Sequence, residues 1–440
     1  MKKANDFFMS NKFIAIVFSL NVVFWWLKTG IVLMVLAIVF LVIAVIFNLN
    51  RMALIPLLFA NIISYRSVAL NDNLVIMIVI GIIIVPLILY DLFSKYKINF
   101  KDKIVVALFV FLLINIMSLI NTNSETILLG VVGVSQILLY TLVYLYFSKH
   151  KNKDAFVYFA KNASAMGIAI FIQLMILIVE FDGGIITKND MNLGWGVSNY
   201  VAMLVTMLIP LTFYLYIRNQ KNMFALLAVG VEFLVIIITQ SKGALLAWVL
   251  AVIPFIIFAY IYAKNKKLII IHGSMFLGVI IVGVFFISRI DSVWSEFIEY
   301  FTSMSTRGWF NDENRLKLYS IGFDLFKENP LLGAGSYTGQ YYIKINNIEN
   351  INYHNYVIQT IATVGLLGLI NFGYLLYLFT RKTLQKNFMN ISVLFIIILF
   401  SIHGLVDTTW YNPLLMIPFF IIMAIIPTKD ETTELVKEID

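Results

Sequence analysis

Apolar runs of about 17 to 25 residues, rich in Ile, Leu, Val and Phe and bounded by Lys, Asn or Asp, recur along most of the chain. At roughly 1.5 Å of rise per residue, a helix of that length crosses a hydrocarbon core about 30 Å thick. The pattern predicts spans near 13–27, 30–47, 51–64, 74–93, 104–120, 126–147, 156–180, 197–217, 223–239, 243–263, 268–288, 354–380, 388–403 and 411–427. The runs lack the alternation of polar and apolar residues that marks barrel strands. The expected fold is therefore all-α: a polytopic integral membrane protein with about 12–14 transmembrane helices. The second and third runs are the exception, since 51–64 is short and contains Pro56, so they form either two spans or a re-entrant pair. An even count in either case returns both termini to one side.

One long polar interval, 289–353, separates the N-terminal spans (1–288) from the C-terminal ones (354–427), and a polar tail follows at 428–440. The interval is too long for a bare connector and should hold structure of its own. Asn311 or Asp312 can cap a helix whose Leu316, Tyr319, Gly322 and Phe326 recur at three- and four-residue spacing before Pro330 ends it. Such a helix would lie along the membrane surface with Arg315 in its first turn. An earlier amphipathic stretch, 289–301, places Trp294 and Phe297 near the interface.

Composition strengthens this reading. The hydrophobic share is 61%, against the roughly 45–50% of soluble domains, and the mean hydropathy is +0.91. The net charge of +8 is spread over short loops, which argues for the positive-inside rule and against a nucleic-acid partner. Alternate connections hold Arg51, the lysines at 95–103 and 149–153, Arg218 and Lys221, those at 264–267, then Arg381, Lys382 and Lys386. The opposite short loops hold only Lys28, Arg66, Lys188 and Lys242. That asymmetry predicts cytoplasmic termini and an extracytoplasmic 289–353 loop. The run from Phe13 has no small-residue cleavage signature, so the first span is expected to be retained. No cysteine is present, which excludes disulfides and thiolate chemistry, and the four histidines form no metal-ligand spacing.

Candidate chemistry concentrates where the chain leaves and re-enters the membrane. His354, flanked by Asn355 and Tyr356, stands where the long loop ends, and a neutral imidazole there could take a proton from a hydroxyl. Arg315, Arg307 and Lys242 are cations on the same predicted side; Lys242 lies in a Ser-Lys-Gly turn, where the charge rule disfavours a cation. Gly333 and Gly335 follow Pro330 and either form a simple turn or offer backbone N–H groups to a phosphate. Asn199 opens a span and either caps it or binds hydroxyls; Trp195 beside it is either an interfacial anchor or a stacking platform for a sugar ring. Glu232 stands mid-span, paired with Lys161 or protonated. His403 and Asp407, four residues apart, could reach one cavity.

The order Arg315, then Pro330-Leu-Leu-Gly-Ala-Gly335, then His354-Asn355, then Gly365-Leu-Leu-Gly-Leu369 resembles the O-antigen ligase and surface-polysaccharide polymerase superfamily, in ordered pieces from Asn199 onward. The resemblance implies a membrane glycosyltransferase of the GT-C-like kind in the bacterial cytoplasmic membrane, transferring glycan from a polyprenyl-diphosphate-linked donor with inversion and without metal or other cofactor. It implies His354 and Arg315 as catalytic residues. Lys242, Asn199, Gly333, Gly335, Asn355 and Tyr319 would bind substrate, and Arg307 joins them only through its nearness to Trp309 and Arg315. Its partners would be the lipid-linked oligosaccharide, a growing glycan or lipid acceptor, and polysaccharide-assembly proteins. A polymerase of capsule, exopolysaccharide or O-antigen is the leading expectation, a ligase onto lipid A core or another acceptor the alternative, and a flippase or transporter the non-enzymatic one.

Overall fold

The computed structural model describes residues 2–66, 86–94, 98–181, 190–275, 313–348 and 352–427. Among them every regular element is helical. Lys2–Phe8 (α1) and Asn11–Trp26 (α2) form a pair bent by 52°. Ile31–Ile46 (α3) and Leu54–Ile62 (α4) follow, then Lys103–Ser118 (α5), Ile127–His150 (α6), Ala155–Glu180 (α7) and Ser198–Arg218 (α8). Met223–Ile238 (α9) and Lys242–Tyr262 (α10) precede the long loop, which contains Glu313–Glu328 (α11) and Gly339–Ile345 (α12). Tyr356–Thr383 (α13), Phe388–Gly404 (α14) and Pro413–Ile425 (α15) complete the described chain.

Where they are described, these helices match the apolar runs to within a turn. The runs at 74–93 and 268–288 are described only over 86–94 and 266–275, both helical. Polar residues start the helices as capping chemistry requires: Asp102 accepts from the Ile104 amide, Asn387 from that of Asn390 and Asn412 from that of Leu414.

α8 is the central helix, packed by α7, α9, α10 and α14. Its most apolar window is 78% buried, against 33% for α10, whose Val249, Ile253, Ile256 and Ile257 are exposed. A central span surrounded by protein and a peripheral one with a bare apolar face are what a bilayer solvent permits.

Glu232 occupies the junction of α7, α8 and α9. Its Oε1 accepts from the Thr212 hydroxyl at 2.7 Å, and a Cβ on Gly167 would fall 2.4 Å from the same oxygen, so only glycine leaves room for the carboxyl. Thr212, not Lys161, is its partner. This group is a packing element between spans.

The basic connections gather at one end of the bundle. Gln220 and Asn265 join two of them through bonds of 2.8 and 2.7 Å, and Lys382 donates to the Met423 carbonyl. Arg51 belongs there too, but it is 2% exposed and its Nε lies 2.7 Å from Asp91 Oδ2. Its charge is thus compensated inside the protein and adds little to the loop asymmetry.

At the opposite end, α11, α12 and the first half of α13 form a small second core of Leu318, Leu325, Ala334, Ile343, Tyr353 and Ile358. The buried stripe of α11 is Leu318–Gly322–Leu325, while Leu316 and Phe323 are exposed and Tyr319 and Phe326 half-buried. The stripe expected through Leu316 is therefore rotated, because α11 docks on α13 as well as presenting an apolar edge outward.

Candidate functional site

His354 has a backbone φ of +49°, a left-handed conformation that costs a residue with a Cβ about 1–2 kcal/mol. Its neighbours hold it there. The His354 amide donates to Asn352 Oδ1 at 2.9 Å, and Asn352 Nδ2 reaches the Tyr200 hydroxyl on α8 at 3.2 Å. Asn355 caps α13, its Oδ1 accepting from Val357 and Ile358 while its Nδ2 donates to the Leu405 carbonyl at 3.0 Å. Both ends of the Asn355 amide are engaged within the protein, so its place is structural.

The imidazole Nδ1 of His354 lies 3.3 Å from Asp407 Oδ1. Asp407 Oδ2 accepts from Asn199 Nδ2, also at 3.3 Å, and Oδ1 from the Thr408 amide at 2.8 Å. Burial by itself raises the Asp407 carboxyl, but the His354 hydrogen bond and the charges of His354 and His403 outweigh it and hold the group below its ordinary value. An ionised carboxylate only accepts, so Nδ1 of a neutral imidazole carries the proton and Nε2 keeps its lone pair. The His354 side chain remains 24% exposed. That arrangement suits a base. Asp407 lies in the turn after α14 and not on the helix with His403, so the two converge by chain reversal rather than by helical spacing.

Lys242 opens α10 beside this cluster. A Cβ on Gly243 would lie 2.5 Å from both Cδ2 and Nε2 of His403, which puts the Ser-Lys-Gly turn flat on that imidazole. The Ser241 side chain makes no capping bond, so the first-turn amides of α10 keep an anion-attracting N-terminus. Among the described residues Lys242 makes no ion pair or hydrogen bond. Arg66, a cation expected on the same side, is paired with Glu180 and stacks over the Trp25 ring at 4.7 Å.

Arg315 is half-buried in the first turn of α11, on the face that carries Leu318 and Gly322. A Cβ on Gly322 would meet Ile358 at 2.5 Å and Tyr353 at 3.4 Å, so this helix sits on residues flanking His354. Arg307 and the 289–301 stretch lie outside the described residues.

The remaining candidates serve packing. The Gly333 amide donates to the Asn329 carbonyl at 2.8 Å and the Gly335 amide to that of Thr363 at 3.0 Å, so neither is left for a phosphate. Trp195 is 7% exposed and its Nε1 donates to Gln173, which removes it as a stacking platform. An apolar cavity lined by Phe111, Tyr140, Phe372, Trp410, Tyr411 and Phe420 carries none of the candidate catalytic side chains. Among the described residues no three His, Asp or Glu side chains are grouped as metal ligands would be.

Two features were not anticipated. Asp407 stood out in the sequence only through its spacing from His403, whereas it joins His354 to Asn199. The helix at Gly365 is broken, with φ +65° and ψ −164°, and the Pro330–Gly335 segment docks into the break. The Gly-Leu-Leu-Gly-Leu pattern held the signal, because glycine is the residue that can adopt that conformation.

No curated protein matches the chain. Residues 224–373, which include α9–α12 and the first part of α13 with His354, match the family model described as O-Antigen ligase. Over that stretch the chain is similar to the O-antigen ligase and polymerase superfamily, and the match supports its reading as a membrane protein of that kind.

Proposed function

We propose that the protein transfers glycan from a polyprenyl-diphosphate-linked donor to a sugar hydroxyl on the outer face of the bacterial cytoplasmic membrane, polymerising a surface polysaccharide. Both termini are then cytoplasmic, and the α11–α12 end faces outward. The observation that carries this reading is the convergence on Asp407: Asn199, 208 residues away, and His354, 53 residues away, meet at one carboxylate beside the Lys242 turn. His354 Nε2 removes the acceptor proton as the hydroxyl attacks the anomeric carbon. The leaving diphosphate gains negative charge as the glycosidic bond breaks, and Arg315 with Lys242 stabilises it. Charge neutralisation by side chains leaves no step that needs a divalent ion. The attack comes from the face opposite the diphosphate, so the configuration inverts.

A ligase that moves a finished glycan to lipid A core or another acceptor uses the same chemistry, and the matching family description favours it as the second reading. Purified protein in liposomes with lipid-linked donor distinguishes the two. A ladder of products from donor alone, unchanged by EDTA, supports the polymerase; product formed only when lipid A core is added supports the ligase. Activity lost in EDTA and restored by magnesium or manganese overturns the metal-free mechanism, and donor translocation without any new glycosidic bond overturns the enzyme.

A further inference from the structure

We infer that Tyr353 is a positioning residue for His354: its ring is a wedge, clasped between two glycines, that fixes where the imidazole stands. The inference rests on the reading of His354 as the base. Tyr353 is fully buried in the small outer core. A Cβ on Gly322 of α11 would lie 3.4 Å from Cδ1 and Cε1 of the ring, and a Cβ on Gly339 of α12 only 2.8 Å from Cε2 and 3.3 Å from Cζ. The ring therefore fills a slot between the two loop helices, and Gly339 in particular leaves it no slack. Its backbone amide is held in turn by Gln359 Oε1 at 3.3 Å, six residues along in α13.

The next residue needs such an anchor. His354 adopts φ +49°, is partly exposed and meets Asp407 at 3.3 Å, the long end of a hydrogen bond. The backbone at this strained φ sets the direction in which the imidazole leaves it, and the buried group beside it on that backbone is the Tyr353 ring. The Tyr353 hydroxyl is buried with no hydrogen-bond partner among the described residues. What the site uses is therefore the ring's volume, not its polar tip, and phenylalanine should serve as well.

The wedge is separable from the proposed donor clamp. α11 also rests on Ile358 through Gly322, and Leu318 is buried in the same core, so Arg315 keeps its seat when the ring is cut back. A displaced base should then lower the chemical step and leave donor binding alone.

The test is steady-state kinetics in proteoliposomes on His354→Ala, Tyr353→Ala, Tyr353→Phe, Gly339→Ala and the Tyr353→Ala/Gly339→Ala double variant, each checked for monodisperse insertion. We expect kcat to fall about 10²-fold in Tyr353→Ala, the scale of an ångström-sized misplacement of a catalytic group, with donor KM unchanged and kcat restored in Tyr353→Phe. Gly339→Ala should lower kcat in the parent and cost little further in Tyr353→Ala, because the two atoms nearest the added methyl are both in the ring. Parent-like kcat in Tyr353→Ala beside an inactive His354→Ala overturns the wedge and spares the base. An equal rise in KM, or additive effects in the double variant, overturns it too. If Tyr353→Ala does not insert, Gly339→Ala decides, and parent-like kcat there is fatal. An active His354→Ala protein overturns the base reading itself, and the wedge with it.

Discussion

Gly333 and Gly365 are locked backbone to backbone: a Cβ on Gly365 would lie 2.6 Å from the Gly333 nitrogen, and both residues have positive φ. Around them Ala334 and Gly335 donate to the carbonyls of Ala362 and Thr363, while Leu366 and Leu367 donate to those of Pro330 and Leu331. The two glycine motifs of the sequence are thus the two halves of one joint, closing a broken helix against the loop that precedes it. Gly365→Ala adds a methyl where the nearest atoms are backbone and φ is +65°, so nothing can move aside. Its thermal midpoint should fall by more than that of an ordinary helix-surface substitution, which stays within about 0.5 kcal/mol. Gly373→Ala, whose Cβ meets nothing within 4 Å, is the matched control on the same helix. Equal melting of the two variants in detergent would disprove the joint.

How the sequence encodes this end of the molecule is uneven. Spans such as α8 and α14 are visible as apolar runs because a bilayer demands length and hydropathy, which are local properties. The His354–Asn355 pair and the Ser-Lys-Gly turn are visible because polar groups interrupt those runs. The break at Gly365 is hidden inside the apolar run at 354–380, since hydropathy says nothing of φ. Tyr353 is hidden for another reason: a tyrosine in a polar loop looks interfacial until α11 and α12 fold over it. Asn355 and Gly335 have donors and acceptors that would suit a ligand, and only the folded chain shows that Leu405 and Thr363 already take them.

The lowered Asp407 sets a pH signature. Its carboxylate is favoured in the folded protein, so it stabilises the fold fully above the ordinary aspartate value of 3.8, and that stabilisation is lost as pH falls from there through the lower folded value. Comparing melting of the parent and Asp407→Asn should show an offset that persists down to about pH 4, then convergence on further acidification. The same variant presents His354 with an amide that can donate as well as accept, which loosens the tautomer. Transfer at neutral pH should drop about 10²- to 10⁴-fold, the range of a lost general base. Full activity in Asp407→Asn would remove Asp407 from the mechanism.

Orientation can be read chemically because the chain has no cysteine of its own. Lys344 and Lys153 are exposed near opposite ends of the bundle. Lys344→Cys should react with a membrane-impermeant maleimide in cells whose outer membrane, if present, has been permeabilised, and Lys153→Cys should react only after the cytoplasmic membrane is opened. The reverse pattern would place His354 in the cytoplasm, away from any extracytoplasmic glycan.

His354 and Arg315 should separate kinetically, since one acts on a proton and the other on a charge that exists in the donor before reaction. His354→Ala should abolish measurable product, a loss of about 10²- to 10⁴-fold, while leaving donor affinity within error. Arg315→Ala should weaken both, because a charge-assisted contact to a bound anion contributes roughly 1.5–3 kcal/mol and the transition state keeps it. Arg315→Lys should recover only part of that, as an ammonium lacks the planar fork that fits two phosphate oxygens. Lys242→Ala should resemble Arg315→Ala in kind; among the described residues its ammonium leaves no ion-pair partner behind, so the fold should tolerate the change and the loss should appear in donor binding. Donor affinity is measured by the concentration dependence of single turnovers and by tryptophan quenching with an unreactive lipid diphosphate. An Arg315→Ala protein that binds that lipid as tightly as the parent would show that the clamp lies elsewhere, and comparable product from His354→Ala would show the same of the base.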